Sequence, residues 1–271
     1  MLITTFIWGS TPFMGIFSHL PSGVFVFFRV LFAFPFIFYF SIKQSSVREF
    51  INLKPFWPLF LSGVMLGVNW IFFFWAVNIT DVATVVNIYY AGPIISIILA
   101  VVFLNENINR YIIISIILAF LGVIFSNGGF SVDKGAFIAF LAAISYGFLG
   151  FFSKIATLHH KAVSVTAWQI LISIVITFPF LFFSDWKFTM QGFIISLIAG
   201  IIHTALALFL WYDALNYIKV SIASILQYLD IVFAMILAYI FLNQIPNYHQ
   251  IIGAILIIFA GSLSSIKEMK N

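Results

Sequence analysis

Long apolar stretches follow one another along this chain, separated by short clusters of polar residues, Pro and Gly. A helix needs about 20 predominantly apolar residues to cross a bilayer, and such clusters mark where helices stop. The pattern predicts ten helices, at about 2–18, 22–41, 56–77, 82–104, 109–126, 134–153, 163–183, 191–216, 220–241 and 249–266. The turn after the first is His19-Leu20-Pro21-Ser22-Gly23, and Pro55 and Pro58 open the third. Asn127-Gly128-Gly129 with Asp133-Lys134 separates the fifth from the sixth. The first run is short for a span and contains Pro12. It has no charged start followed by a small-residue cleavage site, as a signal peptide would. The short alternating segments of a membrane barrel are absent from the sequence.

One stretch occurs twice. Asp81 to Glu106 aligns without gaps on Lys219 to Gln244, at an offset of 138 residues, the separation of Asn105 and Asn243. Within it Leu99-Ala100 and Phe103-Leu104-Asn105 match Leu237-Ala238 and Phe241-Leu242-Asn243, and Tyr90 matches Tyr228. The same offset pairs Trp8-Gly9 with Tyr146-Gly147, Phe13 with Phe151, Ala76 and Asn78 with Ala214 and Asn216, and Ile113-Ile114 with Ile251-Ile252. An apolar chain gives many chance matches, but not a constant offset over such separated places. The sequence therefore divides into two homologous halves, 1–127 and 133–271. Five helices per half is an odd number, so the second half enters the membrane from the opposite side. This is an inverted repeat, an arrangement that forms a substrate site between the halves near the midplane.

Charge tests the count. With the amino terminus inside, Lys43, Arg48, Lys54, Arg110, Lys154, Lys161, Lys219, Lys267 and Lys270 fall in inside loops, and only Lys134 and Lys187 fall outside. That asymmetry satisfies the positive-inside rule and puts both termini in the cytoplasm. Composition agrees: 63% of residues are hydrophobic and 7% charged, against about 25% charged in a soluble domain. The expected class is an all-α membrane protein of ten transmembrane helices in two inverted five-helix repeats, with the lipid bilayer as its surroundings. The net charge of +4 resides in short loops and is no nucleic-acid signal. There is no cysteine, so thiol catalysis and Cys-ligated metal are excluded.

Several of these residues carry a resemblance. Trp8-Gly9-Ser10, Arg29, Pro93 with Phe103-Leu104-Asn105-Glu106, Leu229-Asp230-Ile231 with Phe241-Leu242-Asn243-Gln244, and Gly122 and Gly261 at the ends of the halves are the residues concerned. In them the chain resembles the drug/metabolite transporter superfamily, EamA type, over essentially its whole length. The resemblance implies two five-helix repeats, carriage of a small organic molecule and a place in the bacterial cell inner membrane. Two departures stand out: the family often has Glu-Pro where this chain has Asp230-Ile231, and a Glu where it has Gln244. Gly67 to Asn78 resembles the branch associated with chloramphenicol sensitivity. Phe103 to Asn107 and Tyr228 to Asp230 resemble the S-adenosylmethionine uptake carriers of intracellular bacteria. The two likenesses point to different substrates.

Ionisable groups inside a bilayer cost roughly 2.5–3.5 kcal/mol each on insertion scales. Asp230 lies ten residues into the ninth predicted helix, about 15 Å deep at 1.5 Å per residue. Gln227 sits one turn before it on the same face. The acid either lines a polar path or ties helices together through a neighbouring amide or hydroxyl. Arg29 lies about 10 Å from the outer face. It either snorkels outward or serves the interior, where a pair with Asp230 is one arrangement. His203, mid-helix, is either a titrating group or a histidine bonded to a backbone or hydroxyl group. Asp213, near the inner end of the eighth helix, reads as a gate or interfacial residue. Glu106 reads as an interfacial cap or a partner for Arg110.

Candidates for lining a substrate cavity are Asn69, Trp70, Phe73, Asn87, Tyr90, Tyr146, His203, Trp211, Gln227, Tyr228 and Asp230. Amides among aromatics suit an organic molecule with flat or apolar parts. The competing reading is that aromatics face lipid or the interfacial belts. Gly63, Gly67 and Gly200 read as close-packing positions. No phosphate loop, paired-His metal spacing or nucleophile triad is present, so no cofactor or metal and no enzymatic reaction are expected. The leading expectation is a secondary or facilitative transporter for an amino-acid, nucleoside-like or drug-like molecule, with Asp230 coupling to protons and Arg29, Asp213 and Asp230 gating. The alternatives are an S-adenosylmethionine-type uptake carrier and, from another class, a non-transporting membrane subunit or receptor.

Overall fold

The chain was analysed as a computed structural model that describes residues 1–44, 47–51, 53–80, 85, 88–106, 110–127, 134–187, 189–242, 245 and 248–266. Among these residues every regular element is helical. They are α1 Leu2–Gly9, α2 Thr11–Ser18, α3 Ser22–Gln44, α4 Val47–Ile51, α5 Trp57–Ile79, α6 Ala91–Leu104 and α7 Arg110–Asn127. After these come α8 Lys134–His159, α9 Ala162–Thr177, α10 Phe180–Phe183, α11 Met190–Ile198, a π-helical stretch Ala199–Leu206 and α12 Ala207–Ala214. The last three are α13 Val220–Gln227, α14 Leu229–Leu242 and α15 Tyr248–Ile266.

Among the described residues five segments are long and apolar enough to cross a membrane: Ser22–Gln44, Trp57–Ile79, Lys134–His159, Ala162–Phe183 and Met190–Ala214. Leu2–Ser18, Ala91–Leu104, Arg110–Gly122, Ile225–Leu237 and Ile251–Ala260 are shorter apolar helical segments. The surface is oily, with Phe36, Phe103, Phe137, Phe182 and Ile255 exposed, while Thr4, Thr5, Asn69, Ser153, Thr166 and Gln169 are buried. Water would favour the reverse arrangement. In a bilayer, where lipid is as apolar as Leu, small and polar side chains form the contacts between helices. The protein is an integral membrane protein.

Five of the predicted helices are interrupted in the structure. The first breaks at Ser10, because Pro12 lacks an N–H and its ring crowds the carbonyl four residues back. The Ser10 hydroxyl and backbone N–H then both donate to the Ile7 carbonyl, at 2.7 and 3.2 Å. The fourth turns at Tyr90 and the ninth at Tyr228, positions 138 residues apart. The eighth widens into the π-helical stretch. The seventh stops at Thr177, ahead of Pro179, and resumes at Phe180. The sixth, by contrast, runs past 153 to His159. There Lys154 donates from Nζ to the Leu215 carbonyl at 2.6 Å, a cation placed where a helix ends.

Packing follows the small residues. A Cβ on Gly9 would lie 2.8 Å from the Asp230 carbonyl oxygen and 2.9 Å from Phe233 Cβ, so only glycine lets α1 lie on α14. On Gly147 it would meet Ile95 Cβ at 2.6 Å and the Gly92 carbonyl at 3.2 Å, where α8 lies on α6. Gly63 faces Ile172, Gly67 faces Ile176, and Gly200 meets the Arg29 carbonyl. Elsewhere α3 packs along the π-helical stretch, α9 along α5, and α7 along α15.

Candidate functional site

Where the interrupted helices meet, they enclose a cavity of about 90 Å³. That is room for several water molecules, one of which needs roughly 10–15 Å³ on this measure. Nine of the residues that line it are aromatic. Tyr89 and Tyr146 stack at 4.9 Å with 9° between their planes, and Trp8 leans on Trp211 at 5.3 Å. The Asn69 amide, on α5, donates to the Ala142 carbonyl at 2.9 Å and accepts from the Tyr89 hydroxyl at 3.2 Å.

Asp230 lines this cavity and is 5% exposed. The turn at Tyr228 starts a new helix, which puts Asp230 in the first turn of α14. Unsatisfied N–H groups and the helix dipole favour an anion at that place. The Tyr90 hydroxyl donates to Oδ1, and Gln227 Nε2 donates to Oδ2 at 2.8 Å. The Tyr228 hydroxyl donates across to the Tyr90 carbonyl at 2.8 Å. The two equivalent tyrosines therefore meet at their own helix breaks, with rings 5.5 Å apart.

Arg29 lines the same cavity and is 1% exposed. Its guanidinium turns inward, so the outward-snorkelling reading fails. Nε donates to Thr204 Oγ1 at 2.5 Å, and Nη2 donates to the His203 carbonyl at 3.0 Å. The guanidinium carbon sits 4.2 Å over the Trp70 ring. The π-helical stretch supplies both acceptors. A ladder that skips a residue leaves a carbonyl off its axis, and that of His203 takes Arg29 and also Trp8 Nε1 at 3.1 Å. Arg29 and Asp230 share the cavity, but each is bonded to neutral groups rather than to the other.

Of the residues singled out from sequence, Arg29, Asn69, Trp70, Phe73, Tyr90, Tyr146, Trp211, Gln227 and Asp230 line the cavity. Tyr228 lies behind it as Tyr90's partner. His203 is off it, with Nε2 2.7 Å from the Ser10 hydroxyl. Asp213 is half-buried and outside the lining. Asn87 lies outside the described residues. Sequence reasoning passed over Tyr89 and Tyr212. On an unbroken helix neighbours i and i+1 diverge, so Tyr90 alone was expected to face inward, and the turn brings both in. Tyr212, beside Trp211 within α12, also lines the cavity.

A lipid-embedded helical bundle around a polar, charged cavity defines a membrane transport protein. The model of the EamA-like transporter family matches residues 1–128 and again 133–266. The chain belongs to that family. It is similar to an uncharacterized transporter of Bacillus subtilis (strain 168), YxxF, at 30% identity over 96% of this chain and 86% of that one. It is 26% identical to an S-adenosylmethionine uptake transporter of Rickettsia felis, covering 93% and 86%. It is 25% identical to the protein RarD of Salmonella typhi, covering 93% and 88%. A solved crystal structure superposes with a TM-score of 0.82 at 14% identity, over 99% of this chain and 96% of the other, a likeness of fold alone. The family and the first two of these relatives are named as transporters, which supports carriage of a small molecule.

Proposed function

We propose that the protein carries a small organic molecule across a bacterial inner membrane by alternating access, with both termini cytoplasmic. In this reading the halves 1–127 and 133–271 each span the membrane five times in opposite senses and rock about the cavity between them. The observation that carries it is the cavity itself, lined by buried charge and bounded by helices interrupted at the equivalent positions Tyr90 and Tyr228. Carriers build their midplane sites from such interruptions. The twofold match of the family model supports the duplication. So does the contact of Gly9 with Asp230 and Phe233, which recurs 138 residues on as Gly147 with Gly92 and Ile95.

Asn69, Trp70, Phe73, Tyr90, Tyr146, Trp211, Gln227 and Asp230 would hold the substrate, and Tyr228 would hold Tyr90. Asp230 would couple transport to protons, and Arg29 would gate. Asp213 would act at the inner end of its helix. A relative named as an S-adenosylmethionine uptake transporter supports a second reading, in which that molecule is the cargo.

Flux of a labelled metabolite panel into proteoliposomes tests both. Purified protein should carry at least one member, and Asp230→Asn should abolish its dependence on a pH gradient. Flux that ignores both pH and Asp230→Asn removes the proton coupling. A protein that moves nothing removes the carrier reading.

A further inference from the structure

We infer that Phe74 and Tyr212 are the two gates of the cavity, each closing one end of it. The inference rests on the carrier reading and names its moving side chains. The two residues stand 138 positions apart and are equivalent under the repeat. Both line the cavity, and both are almost fully buried. What they lie against is equivalent as well. A methyl on Gly15 would stand 2.6 Å from the Phe74 ring, so that ring rests on the bare backbone of α2. The Tyr212 hydroxyl faces Gln169 on α9 and Ser153 on α8, and Ser153 is the residue 138 positions after Gly15. One contact of ring on helix thus occurs in each half. Inversion of the halves sets the two contacts at opposite ends of the cavity.

Beyond the rings the two ends differ. Gly15 also lines an open vestibule of about 910 Å³, with Val77, Asn78 and Lys187. The contact of Phe74 with Gly15 therefore stands between vestibule and cavity. At the other end Gln169 Nε2 donates to Ser153 Oγ at 3.0 Å, with both residues fully buried. Lys154 Nζ adds bonds to the Leu215 and Ile218 carbonyls, at 2.6 and 3.4 Å. The structure is thus nearer to opening at Phe74 than at Tyr212. A gate must also move without stranding polar groups. Phe74 has none. The Tyr212 hydroxyl is aligned for a hydrogen bond with neither neighbour, so a swing of its ring breaks none. Arg29, whose guanidinium carbon is 5.9 Å from the Phe74 ring, would gate through that ring.

The test uses Leu66→Cys, on the cavity wall, in a chain with no other cysteine. A membrane-impermeant methanethiosulfonate is applied to right-side-out and to inverted vesicles, and Lys187→Cys marks the face of the vestibule. The labelling rate reports the population open to each side. Adding Phe74→Ala should speed labelling from the Lys187 face about tenfold or more and leave the other face unchanged. Adding Tyr212→Ala should speed it from the opposite face alone, about threefold or more, because the Lys154 bonds remain. Unchanged rates overturn the proposal, and so does a gain from the wrong face. An equal gain from both faces also overturns it, since that is what a loosened bundle gives. Should an alanine variant fail to fold, Phe74→Leu or Tyr212→Leu takes its place with the same outcomes. Flux separates the two readings. Wild-type protein that carries a panel member, with variants that label without sidedness, sinks the gates and keeps the carrier. One-sided labelling in a protein that moves nothing sinks the carrier and keeps two closures around a binding cavity.

Discussion

Tyr90 and Asp230 come from opposite halves of the chain, and the hydrogen bond between them closes the polar side of the cavity. Replacing Tyr90 by Phe keeps the ring against Tyr228 and removes one donor from a buried carboxylate. Losing one partner of a buried group costs about 1–3 kcal/mol, and more when that group is charged. Tyr90→Phe should therefore lower the melting temperature and weaken transport. Tyr89→Phe should lose little stability, because its hydroxyl makes a long bond, 3.2 Å, to the neutral Asn69. Equal melting temperatures for the two variants would show that the Asp230 contact contributes nothing. At this scale the sequence was informative where chemistry is local. Asp230 and Gln227 were legible as one helical turn, and Arg29 as a charge needing an account. Its partners Thr204 and the His203 carbonyl were not, since no pattern of residue types announces a π-helical widening.

Helix breaks decide which residues face inward, and glycines decide how near the helices stand. Gly9 and Gly147 are equivalent by repeat, and each lies under an equivalent stretch of the opposite half, at Asp230–Phe233 and at Gly92–Ile95. An added methyl would meet Ile95 Cγ2 at 2.4 Å from Gly147 and the Asp230 backbone oxygen at 2.8 Å from Gly9. Overpacking of this kind costs about 1–3 kcal/mol. Ile95 Cβ, 2.6 Å from the added methyl at Gly147, and the Asp230 oxygen at Gly9 are both fixed by backbone, so a rotamer change relieves neither contact. Gly9→Ala and Gly147→Ala should therefore each lower the melting temperature and weaken flux. Loss at one site and none at the other would mean that the helices at the tolerant site have freedom to part. Both glycines were visible as repeat partners in the sequence. Which helix each one faces was not, because contacts between halves leave no mark on periodicity within a helix.

Across the whole molecule, duplication, opposite orientation and sidedness are separate claims and can be read separately. The chain contains no cysteine, so single cysteines can be introduced without altering any other residue. Positions 49 and 187 are equivalent under the 138-residue offset, as are 21 and 159. If the halves are inverted, the members of each pair lie on opposite faces of the membrane. If the amino terminus is inside, Lys187→Cys and Pro21→Cys face out, while Glu49→Cys and His159→Cys face in. A membrane-impermeant maleimide applied to intact cells should then label the first two and spare the others until the cells are opened. Labelling of both members of a pair from outside would overturn the inversion. Labelling of only Glu49→Cys and His159→Cys would keep the inversion and reverse the orientation read from the loop charges. The loop charges weigh on orientation alone, whereas an odd number of spans per half would demand opposite faces for each pair whichever way the chain is inserted.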